Sequence, residues 1–435
     1  MANRIVKIKD ICHVVKGETG ITKAIPGDYP MVTLAEERKT HNEFQFDCKA
    51  VIIPLVSSTG HGHASMKRIH FQEGKFALGS ILCALVPKKE NEYVPEYLYH
   101  ILDMGKERIF VPLMKGMANV SLPMNRIKDV EINLPSYAEQ FRLAEIYQEV
   151  SKNIDLLKNE TIKQKDYIPK LRQSILQMAV LGKLTEKWRE DNPHVESASV
   201  LLEKIKAEKE QLIKEGKIKR QKPISPILNK EKTFELPHKW SWVRLSELSN
   251  KLHYGFNASA KTEIKDVRLL RITDIQNNRV NWESVPGCNY SNKDIENYQL
   301  YENDILIART GGTIGKSYLV KNIDVVSLFA SYLIRVVPNP ELFPKYLKYY
   351  IESPSYWKQL YDYAWGAGQP NVNGTNLSKL VVSLPPLEEQ KAIVSKVKQL
   401  MSWCDELEKK IEKRDAYQEK MMQAVVKQAF KTDKV

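Results

Sequence analysis

The sequence predicts an α+β protein made of two similar mixed α/β domains, each followed by a long helix, in a pseudo-twofold repeat. Three observations carry that reading. A Leu-Pro step followed by Glu-Gln occurs at Leu134-Pro135 with Glu139-Gln140, and again 250 residues later at Leu384-Pro385 with Glu389-Gln390. Behind each copy, apolar residues recur in alternating steps of four and three, the seam of a coiled coil. Ahead of each copy, short apolar runs keep the same order.

The first seam runs through Leu143, Tyr147, Val150, Ile154 and Leu157. The same offset gives Ile393, Val397, Leu400, Cys404 and Leu407, extended by Ile411. Two unrelated amphipathic helices would each show a seam. They would have no reason to share its register, or to match Asp155 with Asp405, Tyr167 with Tyr417 and Gln173 with Gln423. Ser136, three residues before Glu139, has the form of a capping box, and the preceding Leu-Pro keeps the incoming chain extended. In the second copy Pro386 suits a first helical position, and Glu388 and Glu389 lie where the helix dipole favours negative charge. Pro169 predicts a kink or fresh start before Leu171, Ile175 and Met178 resume the apolar face, and Gly182 predicts the helix end.

At 435 residues the chain is too long for one ordinary core, and its 43% hydrophobic content excludes wholesale disorder. A net charge of +13 and a pI near 9.2 point to a polyanion, nucleic acid ahead of an anionic membrane, although a generic basic surface gives the same balance. Cys12, Cys48, Cys83, Cys288 and Cys404 are scattered, with no zinc-like spacing, so no metal site is expected. Reduced thiols, no signal peptide and no apolar run of about eighteen residues lead to the expectation of a cytoplasmic protein with no membrane span.

Residues 1–135 form the first domain in this reading. Residues 50–56 and 80–86 are brief branched runs of strand length, and residues 95–102 look like one short helix. Between the strands a polar loop, residues 57–63, leads to Lys67-Arg68. A central helical region covers 136–190. Residues 191–235 read as a basic linker with a short helix, its lysines and arginines more often solvated than bound to phosphate. Residues 236–385 rebuild the first domain. Val243 to Leu248 parallels Val6 to Ile11, residues 304–308 parallel the strand at Ala50, and residues 331–337 and 344–351 echo residues 80–86 and the helix at Pro95. A C-terminal helical region, 386–435, completes the chain.

Chemistry-bearing motifs are few. Arg309-Thr310-Gly311-Gly312-Thr313-Ile314-Gly315-Lys316-Ser317 approaches a P-loop but has Thr310 where the first glycine belongs, and a strand instead of a helix is expected after it. A glycine-rich loop with Arg309, Thr310 and Lys316 suits a DNA backbone better, since glycine lets amides approach phosphate; a plain hairpin turn is the alternative. Residues 365–371 form a second such loop, whose Gln369 and Asn371 have the amides that pair with adenine. Lys115 and Asn119 occupy the corresponding place in the first domain, where Ser57, Ser58, Lys67 and Arg68 are further candidate contacts; asparagine also forms turns. No methyltransferase tetrapeptide, nucleophile-base set or dinucleotide fingerprint is present, so no catalytic residue is assigned and a binding protein is favoured over an enzyme.

Taken together, these features resemble the specificity subunit of Type I restriction-modification systems. The residues that carry the resemblance are the two Leu-Pro and Glu-Gln steps, Leu171-Arg-Gln-Ser-Ile-Leu-Gln177 leading to Gly182-Lys183-Leu184-Thr185, Glu235-Leu-Pro-His-Lys-Trp240, and Asp304-Ile-Leu-Ile-Ala-Arg-Thr-Gly311. The first domain lacks the Leu-Pro-x-x-Trp lead-in and the Ala-Arg-x-Gly loop. The resemblance implies two target-recognition domains, each reading half of a split double-stranded DNA site, and two helices paired as an antiparallel coiled coil. It further implies docking of two modification (methyltransferase) subunits, alongside restriction subunits that perform ATP-driven cleavage. S-adenosylmethionine, ATP and Mg would then belong to those partners, with no cofactor in this chain. Two divergent readers on a rigid spacer predict a non-palindromic target whose halves lie about one helical turn, roughly 34 Å, apart. A coiled-coil adaptor that never meets DNA and an NTPase using residues 311–317 are the alternatives from other classes.

Overall fold

The computed structural model describes residues 4–59, 63–117, 119–221, 223–364 and 372–430, without the side chains of residues 364, 422 and 425–430. Contacts divide the chain into two units, Met1–Lys165 with Lys409–Val435 and Asp166–Glu408, so the division passes through both long helices.

In the first unit, strand Arg4–Lys7 pairs antiparallel with Glu131–Leu134, which brings the start of the described chain beside the Leu134-Pro135 step. A helical turn, Ile8–Ile11, leads into an antiparallel sheet in the spatial order Cys12–Lys16, Leu82–Pro87, Ala50–Pro54, His70–Gln72. Side chains alternate faces along a strand. Val51 and Ile53 therefore join the core under helix Pro95–Ile109, while Ala50 and Ile52 join a second core with Phe76 and Leu78. With both faces covered, the strand reads as a continuous apolar run.

The second unit repeats this plan. Ser241–Arg244 pairs with Val381–Leu384, a helical turn follows at Leu245–Leu248, and the sheet order is Ser249–Tyr254, Leu333–Pro338, Ile305–Ala308, Ser317–Leu319. Ile305 and Ile307 face the core under helix Pro344–Glu352, and Leu306 and Ala308 face the other. Two glycines are dictated by the same close approach. A Cβ on Gly17 would lie 2.3 Å from the Gly79 carbonyl oxygen, and one on Gly255 would lie 2.3 Å from that of Ala330.

The Glu-Gln step has a physical explanation. Gln140 donates to the Pro135 carbonyl at 2.9 Å and accepts from the Val94 amide at 2.8 Å, capping the helix that begins at Pro95. Gln390 does the same between the Pro385 carbonyl, at 3.0 Å, and the Phe343 amide, at 3.0 Å. The start of each long helix is thus fastened to the start of its domain's helix, satisfying an otherwise orphaned N–H.

The long helices are Tyr137–Val180 and Leu387–Phe430. The first passes through Pro169 as one element, without the fresh start that the proline predicts. It stops where expected, with Gly182 left-handed at φ 73°. Within the second unit, Thr185 meets Glu389 while Arg172 meets Asp405 at 2.6 Å and Glu408 at 3.1 Å, so the helices run antiparallel. Within the first unit, Arg414 donates to Thr161 and Gln164, each at 2.8 Å, and Lys165 pairs with Asp415.

The seam is narrower than its 4-3 spacing suggests. One row is buried, through Tyr147, Ile154, Thr161, Ile168 and Ile175 on the first helix and Val397, Cys404, Ile411 and Gln418 on the second, with Ile393 buried ahead of it. Leu143, Val150 and Leu400 are half-buried. Leu157 and Leu407, expected in the seam, are instead 39% and 44% exposed. The reason is that the buried row has two jobs. Tyr147 stacks on Tyr97 of its domain at 6.1 Å between ring centroids, and Ile393 and Val397 share a core with Tyr346, Tyr349 and Trp240. The helices are turned towards their domains, and the second row is left at the rim.

Helix Ala198–Lys214 lies in the segment read as a basic linker, and it is no solvated tether. Its Ala198, Leu201 and Ile205 enter the second unit's core beside Val243 and Leu245, and Lys209 donates to the Ser246 carbonyl at 2.8 Å. The chain also closes a buried joint there. Glu389 accepts from the Trp240 indole at 2.7 Å, the Thr185 hydroxyl at 2.7 Å and the Arg189 guanidinium at 2.6 Å.

Candidate nucleic-acid interface

The loops carrying the candidate DNA contacts grow from the ends of these sheets. In the first unit, Ser57 donates its amide to the Val120 carbonyl at 3.0 Å, and Lys115 and Ser121 exchange both backbone hydrogen bonds at 2.8 Å. That brings Ser57 and Ser58 beside the hairpin bearing Lys115 and Asn119. Gly116 makes the hairpin possible with φ 121°, since a Cβ there would meet the Asn119 carbonyl oxygen at 2.3 Å. Between them Met117 is 95% exposed, a feature that no periodicity in the sequence marks.

Both serine hydroxyls are engaged within the loop. Ser57 Oγ donates to the His63 carbonyl at 2.6 Å, and Ser58 Oγ accepts the Lys67 amide at 2.8 Å, so both hydroxyls fold the loop back on itself. Lys67 is exposed, whereas Arg68 pairs with Glu36 at 3.1 Å. A nearby cation was missed because its partners are distant in sequence: Arg38 binds Gln72 at 2.9 Å and contacts His70 at 3.2 Å. Burial, Arg38 and Arg68 together push the His70 imidazole down to about 4.

In the second unit the glycine-rich loop is a single 3₁₀ turn, Gly311–Thr313, followed by strand Ser317–Leu319. The amides of Ile314, Gly315 and Lys316 donate to the carbonyls of Gly311, Ala308 and Thr313. No helix N-terminus follows to hold a nucleotide phosphate, so the NTPase alternative loses its structural basis at this loop. Thr310 precedes the turn and Lys316 is exposed. Lys348, nearly completely buried, holds the loop's exit by donating to the Ser317 carbonyl at 2.9 Å and pairing with Glu352 at 2.6 Å; burial lowers its pKa, with Glu352 opposing. Arg309 stacks over the Tyr254 ring at 4.7 Å, and its Nε is buried without a hydrogen-bond partner among the described residues. Gln369 and Asn371 lie outside the described residues.

One backbone frame underlies both sets of loops. In the first unit Gly17 N donates to Leu82 O at 3.0 Å, Leu82 N to Gly79 O at 3.0 Å, Leu55 N to Ile81 O at 2.9 Å and Leu122 N to Leu55 O at 2.9 Å. In the second, Gly255 N donates to Leu333 O at 3.1 Å, Leu333 N to Ala330 O at 2.9 Å, Arg309 N to Tyr332 O at 3.0 Å and Val372 N to Arg309 O at 3.1 Å. Among the described residues no group of three or more His, Cys, Asp or Glu could hold a metal ion, and no helix is long and apolar enough to cross a membrane.

The architecture defines a duplicated protein that presents two loop-bearing domains of one frame on paired helices. The chain belongs to the Type I restriction modification DNA specificity domain family, whose profile matches residues 3–165 and 237–414. It is 34% identical over 277 residues to the EcoAI specificity subunit of Escherichia coli, covering 61% of this chain and 44% of that one. To the E. coli EcoEI specificity subunit it is 28% identical over 286 residues, covering 62% and 46%. These matches span less than half the length of either relative. The EcoDI specificity subunit of E. coli aligns over 98% of this chain and 88% of its own length at 23% identity. Two solved structures share the fold at 15% identity. One, from work on complex assembly and conformational transition of the type I R-M system, has a TM-score of 0.63 and covers 99% of this chain and 98% of its own. The HsdS subunit from Thermoanaerobacter tengcongensis has a TM-score of 0.56, covering 99% and 97%.

Proposed function

We propose that this chain is the DNA-recognition subunit of a Type I restriction-modification complex and that it catalyses no reaction itself. Residues 1–135 and 236–385 are its target-recognition domains, residues 136–190 and 386–435 its helical regions, and residues 191–235 join them. Each domain reads one half of a bipartite, non-palindromic duplex site. The observation that carries this reading is the frame matched hydrogen bond for hydrogen bond in the two units, with different side chains on it. Equal scaffolds with unequal loops suit two readers with separate sequence preferences.

The candidate contacts divide by chemistry. Lys67, Arg68, Lys115, Arg309 and Lys316 neutralise phosphate, while Asn119, Gln369 and Asn371 present amides to base edges. Ser57, Ser58 and Thr310 shape the loops that carry them. Modification subunits, with S-adenosylmethionine, dock on the long helices, and restriction subunits supply ATP- and Mg-dependent cleavage, in the cytoplasm. Exposed apolar side chains along those helices support docking: Phe141, Ile146 and Leu157 in the first unit, Leu171, Trp403 and Leu407 in the second.

The test is to express the chain with its modification subunit and map methylated bases by single-molecule sequencing. A split motif with two unlike halves at a fixed gap is expected. A palindromic or contiguous motif, or no sequence-specific methylation, would contradict the reading.

A further inference from the structure

The frame shared by the two domains allows their side chains to be compared position by position. Where the first domain has Leu55 and Ile81, the second has Arg309 and Tyr332, and the residues before the matched glycines are Lys16 and Tyr254. The backbone is held alike while Leu55 and Ile81 give way to a cation and an aromatic ring, and Lys16 gives way to a second ring.

Three features of the second cluster bear on what it contacts. Tyr332 is 64% exposed although its main chain is pinned, its carbonyl accepting from Arg309 and the following amide donating back to Ala330. A tyrosine with two side-chain torsions on a fixed turn gives a large amphipathic contact at little entropic cost. Arg309 is held along the Tyr254 ring, whose hydroxyl accepts the Gly374 amide at 3.0 Å. Beside it, a Cβ on Gly311 or Gly312 would meet nothing within 4 Å, so a polyanion backbone can come close to the main chain.

The geometry points to a division of labour at this edge: Arg309, steadied by Tyr254, takes a backbone phosphate, and Tyr332 contacts a base. Positions 332 and 81 are then matching specificity positions of the two half-sites. This rests on the DNA-recognition reading above and adds which residues discriminate. Ile81 offers only an apolar surface, of the kind that meets a thymine methyl, whereas Tyr332 adds a hydroxyl. The two halves should therefore differ at the base pair that these positions face.

The test uses the full chain with its modification subunits, mapping methylated sites for wild type, Y332I and Y332H, and measuring duplex binding by R309Q complexes across a salt series. Y332I, which installs the first domain's residue, is expected to relax or change one base pair in one half-site by about 5- to 150-fold in discrimination and to leave the other half intact. R309Q is expected to weaken binding to all duplexes alike and to lower the salt slope by about one. Should Y332I fail to fold, Y332H, which keeps a ring with a different hydrogen-bonding edge, must change the same position. A wild-type motif from a folded, active Y332 variant overturns the base contact, as does a variant that only weakens subunit assembly. An R309Q complex that loses discrimination at one base overturns the phosphate assignment. A wild-type complex without a split motif defeats the underlying reading instead, so the two failures are distinguishable.

Discussion

Glu389 accepts the indole N–H of Trp240 at 2.7 Å, across 149 residues of sequence. The carboxylate is 1% exposed and also receives Arg189 and Thr185. Removing one partner of a buried, hydrogen-bonded ion pair strands the other. Glu389→Ala is therefore expected to cost about 3–5 kcal/mol, whereas the same change at its repeat counterpart Glu139, an exposed carboxylate paired with Arg142 on its own helix surface, should cost far less. Chemical denaturation of the two variants checks the contrast, and equal losses would contradict it.

The glutamines beside them should behave as a matched pair. Gln140→Ala and Gln390→Ala each leave an orphaned backbone amide at a helix start, at Val94 and Phe343. Each is expected to cost about 1–3 kcal/mol. Hydrogen exchange should report faster exchange of those two amides, and unchanged protection at either would count against the capping role.

Glycine replacements separate scaffold from surface. Gly255→Ala places a Cβ 2.3 Å from a backbone carbonyl oxygen and should abolish soluble folded protein, as should Gly17→Ala. Gly312→Ala meets open space and should fold normally with weaker DNA binding. Expression yield and thermal melting test the first pair, duplex binding the second.

Acid stability follows from two imidazoles, the buried His70 and the half-buried His253. Burial, Arg38 and Arg68 hold His70 down to about 4, and burial, Lys251 and Arg335 hold His253 down to about 3. The unfolded chain, with histidine near 6.5, binds more protons than the native one between those values, so native stability rises with pH across that window. The contribution is fully present above about 6.5 and drains as pH falls towards 4 for His70 and 3 for His253. Thermal melts from pH 7 to pH 4 should show a falling Tm, less steep in His70→Gln. A Tm independent of pH would contradict both assignments.

The rim leucines test docking. Leu157→Ser and Leu407→Ser remove exposed apolar surface and should change isolated-chain stability by no more than about 0.5 kcal/mol. Assembly with the modification subunit, followed by size-exclusion chromatography with light scattering, should weaken. Lost folding without lost assembly would place these residues in the coil after all.

What the sequence could reveal was whatever is local or periodic. The 250-residue repeat, the strand at Ala50, the helix at Pro344 and the stop at Gly182 are legible because turn residues and apolar spacing encode them directly. The purpose of Gln140 was hidden, because its partner amide lies 46 residues away. The exposure of Leu157 was hidden too: heptad spacing marks an apolar edge but not which neighbour covers it. Likewise the lysine-rich character of residues 191–235 pointed to a linker and did not show that Ala198, Leu201 and Ile205 of helix Ala198–Lys214 enter the core. At the candidate interface, motif reading found Arg309 and the glycines, but the Arg309–Tyr254 stack and the Tyr332 turn exist only through strand pairing.

The claim of two separate readers on one scaffold is tested most directly by exchanging residues 236–385 for the matching domain of a relative with a known target, then sequencing methylated bases in a host that also carries the modification subunit. One half of the motif should switch to the relative's half while the other half and the gap stay as they were. Simultaneous change in both halves, or no change in either, would contradict the account.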